Sequence, residues 1–167
     1  IDEATARKIG QAFAHLVADD PGPIVVSRDM RSHSEPLCEA LIDGLRTAGL
    51  DVVDIGLATT PMNYFAVGHL GAAGGIQVTA SHNPADYNGL KIVREEARPV
   101  SGDTGLEDIR KLAESDDRAT SESAGEHTAV NIYNAYIDHI LSYIDVDKLK
   151  PLKLVVNPGN GGAGIAM

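Results

Sequence analysis

The chain has no tryptophan, two phenylalanines, five tyrosines and a single cysteine among its 167 residues. With aromatics at only 4%, its core must be built from Ala, Val, Ile and Leu, and a hydrophobic fraction of 43% is enough for one complete core. A lone cysteine, Cys38, excludes an internal disulfide and a cysteine-based zinc cluster; set in an apolar helical pattern, it reads as a core thiol. No run is long and apolar enough to resemble a signal peptide or a membrane span, so no membrane partner is expected and the cytoplasm is the expected compartment. Cations are scarce as well. Fourteen Lys and Arg against 24 Asp and Glu leave a formal net charge of -10. A surface that tracks nucleic acid is basic, so no nucleic-acid partner is expected, whereas a small anionic substrate needs only local cations.

What is present is punctuated: 17 glycines and 8 prolines separate short apolar segments. Residues 4–18 place Ile9, Ala12, Phe13, Leu16 and Val17 at helical spacing. After "DDPGP" comes "IVVS", 24–27, a β-branched buried strand. Ser32 and Glu35 form a possible capping pair for a helix whose apolar face is Leu37, Leu41, Leu45 and Ala48, with Gly49 as its stop. "DVVDIG", 51–56, predicts a second strand, and 61–70 a helix with Pro61 in its first turn. "GGIQVTA" and "LKIV", 90–93, predict a third and fourth strand; their link is too short for a helical crossover, so the fourth runs antiparallel. Helices are expected over 103–115 and 131–144, a polar mobile loop between them, and a fifth strand at "LKLVV", 152–156. The sum is an α/β three-layer sandwich with a mostly parallel sheet and one antiparallel strand. Residues 1–148 read as one domain and 149–167 as the incomplete start of another.

The stretch "TASHNPADYNG", 79–89, raises the chemical question. Ser81 follows the carboxyl end of a strand, where ligands gather in open α/β sheets. His82 offers a proton-transfer group and Asn83 an adaptable hydrogen-bonding one. Pro84 stiffens the loop, and Asn88-Gly89 tolerates positive φ and is expected to turn the chain. Lys91 then returns beside Ser81. Hydroxyl, imidazole and ammonium together suit a phosphate ester better than an acyl group, and the glycines of a G-x-S-x-G elbow are missing. The bland reading is a Ser and an Asn that cap backbone groups. Arg31 either pairs with a carboxylate such as Asp29 or supports the site. His15, His69 and His139 lie in helical patterns and read as structural. The acidic stretch 114–126 lacks ordered ligand spacing and reads as solvated.

"GIQVTASHNPADYNGLKIV", 75–93, resembles the phosphoserine loop of the α-D-phosphohexomutases, which interconvert sugar 1-phosphates and 6-phosphates. "VVSRDMRSHSEPL" resembles the family's early strand and D-x-R-x-x-S loop through Asp29, Arg31 and Ser34, and "GLDVVDIGLATTPMNYFA" its next strand and helix start. "VVNPGNGGAG" resembles the opening of the second domain, with Asn157 where an acidic residue is frequent. "KIVREEARPVSGDTGL" looks most like bacterial phosphomannomutases that feed GDP-mannose synthesis. The resemblance implies that Ser81 carries the phosphoryl group between mannose 6-phosphate and mannose 1-phosphate through a 1,6-bisphosphate, with a hexose 1,6-bisphosphate as activator. It implies that Lys91 and His82 are catalytic, that Asn83 and Arg31 bind substrate or phosphate, and that a phosphate oxygen on Ser81 is one ligand of Mg2+. Phosphoglucomutase and phosphoglucosamine mutase are alternatives within the family. The D-G-D-x-D-R metal loop, the sugar-selecting loop and the Y-D-I-R-G segment do not occur in the chain, so these residues alone are expected to be inactive as a mutase, an isolated phosphate-accepting domain at most. Gly159, Gly161 and Gly164 also spell G-x-G-x-x-G, a dinucleotide-binding pattern that the mutase resemblance accounts for as a strand-to-helix turn.

Overall fold

The computed structural model describes residues 1–20 and 22–158. Its sheet is built from β1 (Ile24–Arg28), β2 (Val52–Leu57), β3 (Gly74–Val78), β4 (Leu90–Arg94) and β5 (His127–Ala129). The spatial order is β4-β3-β1-β2-β5. Strands β3, β1, β2 and β5 run parallel, and β4 is antiparallel to β3, with Gln77 opposite Lys91. Helices α1 (Glu3–Leu16), α2 (Ser34–Thr47), α3 (Thr60–His69), α4 (Glu107–Glu114) and α5 (Tyr133–Leu141) complete the fold.

Alternation along β1 divides the core. Ile24 and Val26 pack with Phe13 of α1, Leu41 and Leu45 of α2, and Ile109 of α4. Val25 points the other way, with Met62, Ala66 and Val67 of α3 and with Ile132 just before α5. The three layers are therefore helices, sheet, helices, as the apolar periodicity predicts. Each fully buried Ile, Leu or Val contributes roughly 1.5–3 kcal/mol, which lets this core stand almost without aromatics. Small residues let α1 and α2 approach closely: a Cβ on Gly44 would lie 2.1 Å from the Arg7 carbonyl oxygen.

Four expectations change. Residues 151–158 form no strand, and Leu154 and Val155 are exposed; a strand needs a paired strand for its backbone, and none of β1–β5 pairs with this segment. The fifth strand is β5, at the end of the segment expected to be a mobile loop. That loop is docked: Ser121 N–H donates to the Thr47 carbonyl, Gly125 N–H to the Arg46 carbonyl and Val52 N–H to the Glu126 carbonyl. The α4 helix begins late because Ser101 and Thr104 bond to each other around a π-turn, Gly102–Leu106. Helix α2 begins at Ser34, preceded by His33 with no side-chain cap, and Glu35 is drawn to Arg28 instead, 3.1 Å away. The glycines at 159, 161 and 164 lie outside the described residues. Cys38 is buried, as expected of a core thiol. The outer side of β4 is covered by the returning chain, through Arg94 N–H to the Arg98 carbonyl and Val100 N–H to the Ile92 carbonyl.

Candidate active site

The loop that follows β3 leaves the carboxyl end of the sheet and returns at once as β4. Its neck is closed by Thr79 N–H donating to the Gly89 carbonyl at 2.9 Å. Two local bonds shape the turn: Ser81 N–H to Thr79 Oγ1 at 2.9 Å and Asn83 N–H to the Ala80 carbonyl at 3.0 Å. The left-handed residue is Ser81 itself, with φ +57°, and neither Asn88 nor Gly89 has positive φ. The expected Asn-Gly turn is therefore absent. Asn88 bonds Ser34 Oγ with its amide nitrogen and the Gly89 N–H with its oxygen.

Ser81, His82 and Asn83 stand together and exposed in this loop. Their side chains make no hydrogen bond among the described residues, so the hydroxyl, imidazole and amide are free to meet a ligand. Lys91 lies two residues beyond the Gly89 end of the neck, on the sheet face of its partner Gln77. Its ammonium forms no ion pair among the described residues. It lines a groove of about 650 Å³ with Thr60, Pro61, Tyr64, Tyr136 and His139. No hydrogen bond joins Lys91 to Ser81. His69 and His139 pack on Phe65, with ring centroids 5.0 and 4.8 Å away.

Arg31 comes from the turn between β1 and α2 and meets the loop along its length. Nη1 donates to the carbonyls of Pro84 (2.6 Å) and Tyr87 (3.2 Å). Nη2 donates to those of Ser81 (3.1 Å) and Asn83 (2.7 Å). Nε donates to Asp29 Oδ2 at 3.3 Å. All five guanidinium donors are thereby engaged. Asp29 also accepts from the Arg31 amide (3.1 Å) and from Ser34 Oγ (2.5 Å). Burial raises the Asp29 pKa, but hydrogen bonds from Ser34, the Arg31 amide and Thr79, helped by the guanidinium charge, outweigh it and hold the carboxyl below its usual value. Ser34, Thr79 and Asn88 were not singled out as site residues. Ser34 stood only in a quoted motif, Asn88 looked like a turn former, and nothing marks Thr79.

Behind the loop, a buried polar cluster crosses the sheet. Ser27 Oγ donates to Gln77 Oε1, Asn63 Nδ2 to Ser27 Oγ (2.7 Å), and Gln77 Nε2 to the Ala58 carbonyl (3.1 Å). These bonds fix the last residues of β3 from which the loop springs. Among the described residues no group of three or more His, Cys, Asp or Glu could hold a metal ion. No helix among them is long and apolar enough to cross a membrane.

Residues 1–120 match the sequence model of a domain described as "phosphoglucomutase/phosphomannomutase, alpha/beta/alpha domain I". The chain is 54% identical over 166 residues to a protein named "phosphohexose mutases" from Xanthomonas campestris, and 52% identical to a phosphomannomutase of Salmonella montevideo. These alignments cover 99% and 98% of the chain but 36% of each relative, so the chain spans about a third of their length. A solved structure of a phosphoglucomutase/phosphomannomutase family protein from Burkholderia thailandensis superposes with a TM-score of 0.87 at 36% identity, over 99% of this chain and 37% of that one.

Proposed function

Because the chain belongs to the phosphoglucomutase/phosphomannomutase family through its α/β/α domain I, we propose that it is the phosphoryl-carrying domain of a phosphohexomutase and that Ser81 is the carrier. The supporting observation is Ser81 itself: exposed, left-handed, with a free hydroxyl at the carboxyl end of β3. A hydroxyl of the sugar attacks the phosphorus of phosphoserine 81. The P–O bond to Ser81 Oγ breaks, and Oγ takes up a proton as the sugar hydroxyl gives one up. The resulting 1,6-bisphosphate reorients, and Ser81 Oγ, losing its proton, attacks the phosphorus of the other phosphate; the P–O bond to the sugar breaks, the sugar oxygen takes up a proton, and the phosphoserine is regenerated. Charge spreads over the phosphoryl oxygens in each transfer, and the unpaired Lys91 ammonium is the group suited to neutralise it. His82 and Asn83 orient the phosphoserine or the sugar phosphate.

The relative from Salmonella montevideo is named a phosphomannomutase, and mannose 6-phosphate and mannose 1-phosphate are the substrate pair we propose. The broader name of the Xanthomonas campestris relative keeps glucose phosphates as a second reading. Mg2+, when bound, would neutralise phosphoryl charge. The described residues offer it no cluster of carboxylates, only a phosphate oxygen on Ser81, so its other ligands belong to protein outside this domain. We assign residues 1–148 to the carrier domain and 149–167 to the start of the next.

The test is treatment of the chain with a hexose 1,6-bisphosphate, followed by intact-mass measurement and peptide mapping. One phosphoryl group on Ser81, absent from Ser81→Ala, is the expected result. Phosphate on another serine, or none on a longer protein carrying this domain, overturns the carrier role. The chain alone is expected to show no mutase turnover in a coupled assay, and robust turnover would refute the assignment of the remaining machinery to other domains.

A further inference from the structure

We propose that Arg31 is a positioning residue. Anchored by Asp29, it braces the loop and imposes the left-handed backbone that presents the Ser81 hydroxyl. The proposal rests on the reading of Ser81 as phosphoryl carrier.

A non-glycine residue with φ +57° is strained, and such strain persists only where the surroundings over-determine it. Within the loop, the bonds at Ser81 N–H and Asn83 N–H shape this turn, and Tyr87 N–H donates to the Pro84 carbonyl further on. Across the loop, Arg31 adds four bonds, through the carbonyls of Ser81, Asn83, Pro84 and Tyr87, and His33 Nε2 lies 3.2 Å from the Tyr87 carbonyl. The bonds close a ring. The loop is held by Arg31, Arg31 by Asp29, and Asp29 by Ser34; Asn88 Nδ2 donates back to Ser34 Oγ at 2.8 Å, at the far end of the loop. Arg31 therefore has no donor left for a sugar phosphate. Its grip also gathers four carbonyl oxygens to one side, while the His82 N–H has no acceptor among the described residues.

Lysine separates this role from direct phosphate binding. Arg31→Lys keeps the charge, but an ammonium has three donors and no planar fork, so it cannot hold four carbonyls and a carboxylate. The experiment compares the wild-type chain with Arg31→Lys, Arg31→Met and Ser34→Ala. It reads amide hydrogen exchange at Ser81, Asn83 and Tyr87 and the rate of Ser81 phosphorylation against hexose 1,6-bisphosphate concentration. Both Arg31 variants should speed loop exchange by about tenfold or more, as expected when charge-assisted bonds are lost, with β1 and β3 amides unchanged. The maximal phosphorylation rate should fall at an unchanged half-saturating concentration, and Ser34→Ala should speed loop exchange by about threefold. Loop exchange in Arg31→Lys within about twofold of wild type, below the loss of one ordinary hydrogen bond, overturns the brace; a raised half-saturating concentration would then identify Arg31 as a phosphate ligand. If wild type takes no phosphate on Ser81, the carrier reading falls while loop exchange still decides the brace. If the Arg31 variants unfold, shown by loss of β3 protection, Ser34→Ala decides: unchanged loop exchange there refutes the brace.

Discussion

Ser81 combines exposure with a backbone that disfavours any side chain, and the two can be measured separately. Left-handed geometry costs a non-glycine residue about 1–2 kcal/mol, a cost glycine escapes. Ser81→Gly should therefore be more stable than Ser81→Ala by about 1 kcal/mol in urea denaturation, although both lose the hydroxyl. Equal stabilities would mean that the loop is not strained in solution. Asp29 gives the brace a pH dependence. Its carboxyl titrates below the ordinary 3.8 when folded. For an acid whose pKa is depressed by folding, the stabilisation is complete above the unfolded value and is lost as pH falls through the folded one. Loop amides should keep their protection down to about pH 3.9, the unfolded value, and lose it below. In Asp29→Asn the loop should already be loose at neutral pH and show no such acid step in an exchange titration. Cys38 is the opposite case, with burial pushing its thiol up to about 12. A thiol reagent at mildly alkaline pH should modify it only after unfolding.

At the level of elements, close approach is a tighter constraint than hydrophobicity. Gly44→Ala would set a methyl against the Arg7 backbone, and overpacking of this kind costs about 1–3 kcal/mol, so its melting temperature should drop by several degrees. A Cβ on Gly125 would lie 2.0 Å from the Leu50 carbonyl oxygen, so Gly125→Ala should undock β5 while leaving β1 and β3 protected from exchange. Elements buried on a sheet face could be read from the chain, α1 and α3 from the helical period of their apolar residues and β1 to β4 from short apolar runs between turns, while the antiparallel turn-back followed from the short link before β4. Strand β5 could not, because a three-residue exposed edge strand carries no apolar pattern; its place is set by backbone bonds to the end of α2 and the start of β2. The reverse holds at 152–156, where the pattern is present but no strand pairs with it among the described residues. In the candidate site, the exposure of Ser81, His82 and Asn83 just beyond β3 is legible from their position after a strand. The brace was not, because four of the five Arg31 bonds go to backbone carbonyls, which every residue has.

At the scale of the whole molecule, large apolar side chains stand exposed over residues 143–155. Tyr143, Leu149, Leu152, Leu154 and Val155 are more than half exposed. Large apolar side chains left exposed favour association, so the chain alone should self-associate in light scattering, and Leu154→Lys with Val155→Lys should reduce it. A monodisperse wild-type monomer would contradict this. A last consequence lies in the pairing of β1 with β3, which sets Arg28 opposite Val78. Arg31 and Ser81 each come three residues after that pair and are 50 residues apart in sequence. The grip of one on the other thus works as a vernier on the sheet: a slip of one residue would carry the guanidinium about 3.3 Å out of step with its carbonyls. Long-range parallel pairing is slow to form. During refolding the loop should order last and only on chains whose central strands have found their true alignment, so that protection of the loop amides also reports correct folding.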